Sequence, residues 1–196
     1  MHEEKIIFGT PLVLYPINDK TLNKELEKLA LHQLKTQPLK VLSNVGGKQT
    51  HAPDLNHPIL QKFFNTISPF LDQFVSMYDF KNKVEIKVSN LWFNLNKKES
   101  FNIQHAHGQC DFSCVYWIKY PPNSGRLIFI NPDPTREFIP YNTLSVNNYN
   151  VFNSAVYKVN PTTMTLGIFP SQLQHYVEPN KSKAGRLSMA FNLLIQ

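Results

Sequence analysis

Apolar residues recur at helical spacing in two stretches of the N-terminal part of the chain. The first stretch follows Asn18 or Asp19, either of which can cap a helix that runs to about Thr36. The second has Pro58 in its first turn, and Pro69 within it is expected to kink or split the helix. The apolar faces consist of Leu22, Leu26, Leu29 and Leu34 in the first stretch, and of Ile59, Leu60, Phe63, Phe64, Ile67, Phe70, Leu71, Phe74 and Val75 in the second.

Beyond Tyr78 the apolar spacing changes from helical to alternating, which is typical of β-strands. Val84, Ile86 and Val88 alternate with charged residues, and short apolar runs separated by proline- and glycine-containing turns follow. A β-like run also precedes the helices, from Lys5 to Tyr15, whereas residues 43–54 contain Gly46-Gly47 and are predicted to form a loop. The later candidate strands are residues 84–96, 112–120, 126–130, 155–159, 164–169 and 186–195.

Two helices followed by many short strands predict an α+β fold that is mostly β. We expect an antiparallel barrel or double sheet with the helices packed on one side. No repeat or linker interrupts the 196 residues, so a single domain over residues 1–196 is expected. Its helical support region covers about residues 18–78, and its β core covers about residues 83–196.

Charge and cysteine content exclude several classes of protein. The net charge of +6 is scattered along the chain, which favours a solvated basic surface over a nucleic-acid groove. Cys110 and Cys114 lack zinc-knuckle spacing and would lie too far apart on a strand for a disulfide, so structural thiols are expected. The acidic start of the chain does not fit a signal peptide, and no apolar run could span a bilayer. These features predict a soluble, cytoplasmic protein without a membrane partner.

Three histidines form the most informative pattern in the sequence. His105 and His107 are spaced so that, on a strand, they project to one face, and His175 follows a predicted strand and turn 68 residues later. Together they could hold a metal ion with open positions, although imidazole suits iron, zinc, copper and nickel alike. Arg186 lies 11 residues beyond His175 and could hold an anionic co-substrate. The other four histidines are interpreted as surface or hydrogen-bonded residues: His2, His32, His51 and His57.

From about Val88 to the C-terminus, the chain resembles the family of Fe(II)/2-oxoglutarate oxygenases related to prolyl hydroxylases. One part of the resemblance runs from Trp92-Phe93-Asn94 through the H-x-H pair to Phe112-Ser113-Cys114-Val115-Tyr116-Trp117 and Ser124-Gly125-Arg126-Leu127. The more specific part is the closing series F-P-S, H, V-x-P, R-x-S and F-N, which extends from Phe169 to Asn192.

The resemblance implies a double-stranded β-helix, a jelly-roll or cupin-like fold, with the N-terminal helices packed on one sheet. Fe(II) would be held by His105, His107 and His175. Arg186 would pair bidentately with the distal carboxylate of 2-oxoglutarate, and Ser188 would add a hydrogen bond. Weaker candidates for the pocket wall are Asn94 and Trp117.

One residue departs from the pattern of the best-known members of that family. They carry Asp or Glu where this chain has His107, and the two-histidine, one-carboxylate triad is typical of non-haem Fe(II) oxygenases. Asp111 is the alternative carboxylate, provided that the chain turns at Gly108. His107 is the preferred candidate.

The function expected from the resemblance is Fe(II)-, 2-oxoglutarate- and O2-dependent hydroxylation of a second substrate, such as a protein or peptide side chain, with release of succinate and CO2. Two other interpretations use the same residues. The first is a cupin-like three-histidine dioxygenase that does not use 2-oxoglutarate, for which Arg186 matters only to stability. The second is a non-catalytic β-helix binding module, which holds no metal at the three histidines.

Overall fold

In the residues that the structure describes, the chain forms two helices and eleven strands, and most of the strands come after the change from helical to alternating apolar spacing. The computed structural model describes residues 9–40, 42–50, 53–133, 147–148, 150 and 153–196. The elements of this part of the chain are β1 (Val13–Pro16), α1 (Lys20–Thr36), β2 (Asn44–Val45), β3 (Lys48–Gln49), α2 (Pro58–Ser76), β4 (Ile86–Asn96), β5 (Phe101–His105), β6 (Phe112–Lys119), β7 (Leu127–Ile130), β8 (Val156–Val159), β9 (Thr165–Pro170), β10 (His175–Val177) and β11 (Arg186–Ile195). The start of the predicted β-like run, Lys5 to Phe8, lies outside the described residues.

Both predicted helices are present. Asp19 is the residue that caps α1, since its Oδ1 accepts the backbone N–H of Leu22 at 2.8 Å. His57 caps α2 through Nδ1, which accepts the N–H of Ile59 at 3.2 Å. Pro69 does not split α2, so that alternative is wrong. Pro69 lies on the exposed side of the helix, where water can solvate the carbonyl left without a partner.

The strands form two antiparallel sheets, which confirms the predicted α+β, mostly β class. The larger sheet has the order β1-β9-β6-β11-β4-β3, and the smaller sheet has the order β2-β5-β10-β7-β8. Both helices pack on the larger sheet, where Leu26, Phe63 and Phe74 join the apolar side chains of five strands in one core. No helix in the described residues is long and apolar enough to cross a membrane.

Residues 43–54, which were predicted to form a loop, contain two short strands. β2 pairs with β5 in the smaller sheet, whereas β3 pairs with β4 in the larger sheet. Gly46 turns the chain between them with a φ of +73°, a conformation that favours glycine. Strands of two residues have no periodicity to read, and therefore the pattern of the sequence could not predict them.

Strand β11 is buried on both faces, and its two faces serve different purposes. Leu187, Met189 and Phe191 belong to the core beneath the helices. Arg186 and Ser188 alternate with them and face the space between the sheets, where they line a cavity. The alternation of side chains along this predicted strand thus places a hydrophobic core and a polar cavity on its opposite faces.

Candidate metal centre

The structure brings the three predicted histidines together at one end of that cavity. His105, the last residue of β5, pairs directly with His175, the first residue of β10. His107 lies two residues beyond β5, and its backbone N–H donates to the carbonyl of Ser171 at 2.9 Å. The prediction that both members of the H-x-H pair lie on one strand is therefore wrong, because the strand ends at the first. One possible ligand atom from each of the three histidines lies within 4.8 Å of the others.

Hydrogen bonds determine the tautomers of the two imidazoles on β5 and β10. The Nδ1 of His105 lies 2.7 Å from the carbonyl oxygen of Ile103, and the Nδ1 of His175 lies 2.8 Å from that of Leu173. A carbonyl oxygen only accepts, and each Nδ1 must therefore carry a proton that it donates. Each Nε2 then keeps a free lone pair, which is the arrangement expected of a histidine that binds a metal.

His107 has a different set of partners from the other two. Its Nδ1 lies 2.7 Å from the Oδ1 of Asn192 and 2.7 Å from the Oγ of Ser113. Both partners are buried side chains on neighbouring strands of the larger sheet. The imidazole of His107 is therefore held by side chains, whereas the other two are held by nearby backbone.

Asp111, the alternative carboxylate, is not part of the group of possible ligands. Its Oδ2 accepts the backbone N–H of Ile195 at 2.8 Å, and its own N–H donates to the carbonyl of Leu193 at 2.9 Å. Its carbonyl accepts the N–H of Ser171 at 3.0 Å. The backbone and carboxylate of Asp111 thus tie the segment after His107 to the end of β11.

Burial lowers the pKa of all three imidazoles below the ordinary value of 6.5. Loss of water around the ring is the main cause in each case, and it lowers the pKa of His175 to about 3. The neighbouring histidines lower the pKa of His175 further, while its bond to the Leu173 carbonyl partly opposes the shift. The metal-free site therefore holds three neutral imidazoles close together at neutral pH.

We expect the metal-free protein to lose stability as the pH falls from about 6.5 to about 3. The unfolded chain binds protons on these histidines in that range and the folded chain does not, so the unfolded state is favoured on acidification. One histidine contributes at most about 1.4 kcal/mol per pH unit. Urea midpoints in EDTA should show a shallower acid slope for His175→Gln than for the wild type. His32→Gln, which alters an exposed histidine of α1, should keep the wild-type slope, and equal slopes for all three proteins would contradict the assignment.

Arg186 lies at the other end of the same cavity, where the described residues supply no counter-charge. It is only 2% exposed, and its Nη1 donates to the carbonyls of Ser124 and Gly125, the latter at 3.0 Å. Its Nη2 is buried without an acceptor among the described residues. Burial lowers the pKa of this guanidinium to about 10, and none of the described residues that line the cavity is acidic. A buried cation with an unused donor is a receptor for an anion.

Three other predicted residues form a row across the larger sheet beside Arg186. Ser188 on β11 pairs in register with Asn94 on β4 and with Trp117 on β6. All three side chains line the cavity. The row lies between the histidine end of the cavity, defined by His105, His107 and His175, and the arginine end, defined by Arg186.

Sequence reasoning missed the buried amides at the arginine end. The Nδ2 of Asn96 donates to the Oδ1 of Asn102 at 3.2 Å, and the Nδ2 of Asn102 donates to Ser43 at 3.1 Å. Asn44 joins this network by donating to Asn96 at 3.4 Å. The alternation of Trp92, Asn94 and Asn96 with leucine and phenylalanine was a usable signal for the part on β4, but only the fold brings the other members close.

The arginine end is supported by a turn at Gly125, whose φ is +86°. Arg126 pairs with Glu178 through two hydrogen bonds of 2.8 and 2.7 Å, and the backbone N–H of Arg126 also donates to this carboxylate at 3.1 Å. These bonds connect the start of β7 with the residue that follows β10. They hold in place the two carbonyls that orient Arg186.

Comparison with known families gives a match over a little more than half of the chain. A family model described as "Putative 2OG-Fe(II) oxygenase" matches residues 90–192, a range that includes the three histidines and Arg186. No curated protein sequence matches the chain.

Solved structures resemble the chain over nearly its whole length. A prolyl-4-hydroxylase from Pseudomonas putida is 14% identical with a TM-score of 0.65, and the match covers 93% of this chain and 91% of that protein. The epimerase SnoN, in complex with Fe3+, alpha-ketoglutarate and nogalamycin RO, is 12% identical with a TM-score of 0.68, covering 94% and 79%. A prolyl hydroxylase from Trichoplax adhaerens, in complex with a peptide fragment of hypoxia inducible factor, is 14% identical with a TM-score of 0.60, covering 93% and 83%. These likenesses confirm the predicted double-stranded β-helix fold.

Proposed function

Since the chain belongs to the family of 2-oxoglutarate- and Fe(II)-dependent oxygenases, we propose that it hydroxylates a side chain of a protein or peptide. As a member of this family it is an enzyme whose cofactor is Fe(II) and whose co-substrates are 2-oxoglutarate and O2. In the proposal, His105, His107 and His175 hold the iron, and Arg186 binds the distal carboxylate of 2-oxoglutarate.

The observation that carries the proposal is the unused Nη2 of Arg186 in the cavity that also contains the three histidines. A guanidinium presents two parallel N–H donors that match the two oxygens of a carboxylate. The described lining of the cavity contains no Asp or Glu, so the charge of a bound dication and of Arg186 must be offset by a ligand. A dicarboxylate that reaches from the histidine end to the arginine end supplies that charge.

The residues around the cavity have separable roles. Fe(II), 2-oxoglutarate and O2 supply the oxidation, in which 2-oxoglutarate loses CO2 to become succinate while the second substrate is hydroxylated. Arg186 and Ser188 orient the co-substrate, and the carbonyls of Ser124 and Gly125 hold the guanidinium in place. Trp117 and Phe169 line the cavity with buried aromatic surface, which excludes water from the co-substrate.

Access to the histidine end of the cavity supports a protein or peptide side chain as the second substrate. His105 and His107 are only half-buried, whereas Arg186 is almost fully covered, so the second substrate reaches the metal from the histidine end. The neighbour from Trichoplax adhaerens binds a peptide on the same fold. That likeness supports a peptide substrate without identifying its sequence.

Two measurements on iron-loaded protein test the proposal. Adding 2-oxoglutarate without oxygen should produce the weak visible charge-transfer band of its chelate with Fe(II). Admitting air should then yield succinate and CO2, with more product when a peptide substrate is present. Iron-loaded protein that gives neither the band nor succinate would rule out the proposal and favour a three-histidine dioxygenase without 2-oxoglutarate.

Substitution of Gly125 by alanine should weaken 2-oxoglutarate binding. A Cβ at this position would collide with the carbonyl oxygen of Glu178 and would lie 2.9 Å from the Nη1 of Arg186. The positive φ adds strain of about 1–3 kcal/mol for any other residue. We expect a lower melting temperature and a KM for 2-oxoglutarate that rises by about 10-fold or more, as measured by succinate formation.

Gly46→Ala is the matched control, because Gly46 also has a positive φ while a Cβ there would meet nothing closer than 3.5 Å. It should lower the melting temperature through strain alone and leave the KM unchanged. If the two variants have the same KM, the turn at Gly125 does not position Arg186.

A further inference from the structure

Ser113 and Asn192 form a buried triangle with the imidazole of His107. The two residues are cross-strand neighbours on β6 and β11, and their side chains meet at the Nδ1 of His107. The Oγ of Ser113 also donates to the Oδ1 of Asn192 at 2.8 Å. Ser113 is fully buried, and Asn192 is 4% exposed.

The chemistry of this triangle permits one tautomer of His107. The amide oxygen of Asn192 has only lone pairs, and it already accepts the hydroxyl proton of Ser113. An unprotonated Nδ1 only 2.7 Å from that oxygen would bring two lone pairs together, which is repulsive. Nδ1 therefore carries the proton, and Nε2 keeps its lone pair on the side of the other two histidines.

The origin of these partners distinguishes His107 from its neighbours. His105 and His175 each use the carbonyl two residues earlier in the chain, which local backbone geometry supplies. His107 instead uses side chains from two strands of the larger sheet. The register of β11 against β4 shifts directly after Asn192, whereas its register against β6 continues unchanged past this residue. Among the described residues, the Oγ of Ser113 and the Oδ1 of Asn192 form hydrogen bonds only with His107 and each other, and they therefore hold the orientation of that imidazole.

The geometry points to Asn192 and Ser113 as positioning residues that make His107 a neutral nitrogen ligand. They do so at the position where the best-known members of the family carry a carboxylate. The inference rests on the proposed function, because it assumes that the three histidines bind a metal. It goes further by assigning the choice of ligand atom and the ring orientation of His107 to two residues outside the metal group.

Cobalt(II), which replaces Fe(II) without sensitivity to air, gives two readouts that do not depend on activity. The first readout is the affinity of the protein for Co(II), which is measured by titration against a competing chelator. Each imidazole bound through Nε2 keeps its Nδ1 proton, and this proton gives a strongly shifted proton NMR signal that disappears in D2O. Wild-type protein should show three such signals.

Asn192→Leu removes the acceptor while nearly preserving the volume of the side chain. We expect the affinity for Co(II) to fall by about 10–100-fold, as is typical when the group that orients a ligand is lost. One of the three exchangeable signals should shift or vanish, and the other two should remain. Asn192→Asp keeps an acceptor oxygen at the same place and should retain tight binding and all three signals. Ser113→Ala should shift the same single signal and weaken binding less.

Asn23→Leu is the matched control for loss of a buried asparagine. Asn23 lies on α1, where its amide donates to the carbonyl of Ile118 at 3.1 Å and accepts from Tyr116 at 3.0 Å. This variant should lose stability but keep the wild-type affinity for Co(II) and its three signals.

The possible results distinguish a wrong metal site from a wrong positioning role for Asn192. If wild-type protein binds no Co(II) and has no shifted signals, the three-histidine metal site itself is wrong. If the wild type has three signals and Asn192→Leu keeps all of them with unchanged affinity, the site stands and the positioning role of Asn192 is overturned. If the wild type has two signals and Asn192→Leu alters neither of them, His107 does not bind through Nε2, which also overturns the inference.

Discussion

Replacing Arg186 with methionine should lower the affinity for 2-oxoglutarate by about 100-fold or more and at the same time raise the melting temperature of the ligand-free protein. The loss of affinity follows from the removal of two charge-assisted hydrogen bonds, each of which contributes about 1.5–3 kcal/mol. The gain in stability follows because methionine removes the unfavourable burial of a charge. The guanidinium is 2% exposed, and its Nη2 has no acceptor among the described residues. Calorimetric titration and thermal unfolding of the same preparations measure the two effects.

Arg126→Met is the matched control, since it removes the same charge from a guanidinium that is paired with Glu178 and partly exposed. It should lower the melting temperature slightly, because Glu178 loses its partner. The interpretation of Arg186 as an anion receptor fails if Arg186→Met binds 2-oxoglutarate as tightly as the wild type. It also fails if this variant is destabilised as much as Arg126→Met.

Replacing His107 with alanine should reduce the affinity for Fe(II) or Co(II) by more than about 100-fold. A direct ligand contributes more than the 10–100-fold typical of the groups that orient it. Asp111→Ala should behave in the opposite way, retaining metal affinity while lowering stability. The carboxylate of Asp111 accepts the N–H of Ile195 and is not part of the histidine group.

The pair of variants decides between the two candidates for the second ligand. Metal titration and urea unfolding should give opposite rankings, with His107→Ala the weaker metal binder and Asp111→Ala the less stable protein. A loss of metal affinity in Asp111→Ala as large as that in His107→Ala would contradict the preference for His107 over Asp111. His32→Ala, on the exposed face of α1, should leave both quantities unchanged.

Local patterns predicted the parts of the fold that local forces determine. The leucine spacing and Asp19 define α1 because a helix is made from contacts between residues three or four apart. The resemblance to the oxygenase family suggested Arg186 and Ser188 as site residues, and the period of two along a strand places them on one face. The effect of Pro69 was overestimated: α2 is not split there, because the buried residues on both sides of the proline hold the helix together.

The remainder of the site depends on register between distant strands, which no local pattern encodes. Strands β2, β3 and β10 have two or three residues each and form only because longer partners are already in place. The support of His107 by Asn192 and Ser113 requires β6 and β11 to pair in one particular alignment. Spacing alone left His107 and Asp111 as alternatives, because the path of the chain after β5 decides which side chain faces the other histidines.

The short segment that contains β2 and β3 belongs to both sheets, and it thereby joins them beside the arginine end of the cavity. Separation of the two sheets at this end would break the pairing of β2 with β5 or of β3 with β4, whereas the half-buried His105 and His107 leave the histidine end accessible. On the proposed function, we therefore expect 2-oxoglutarate to enter past the histidines and to bind before the second substrate.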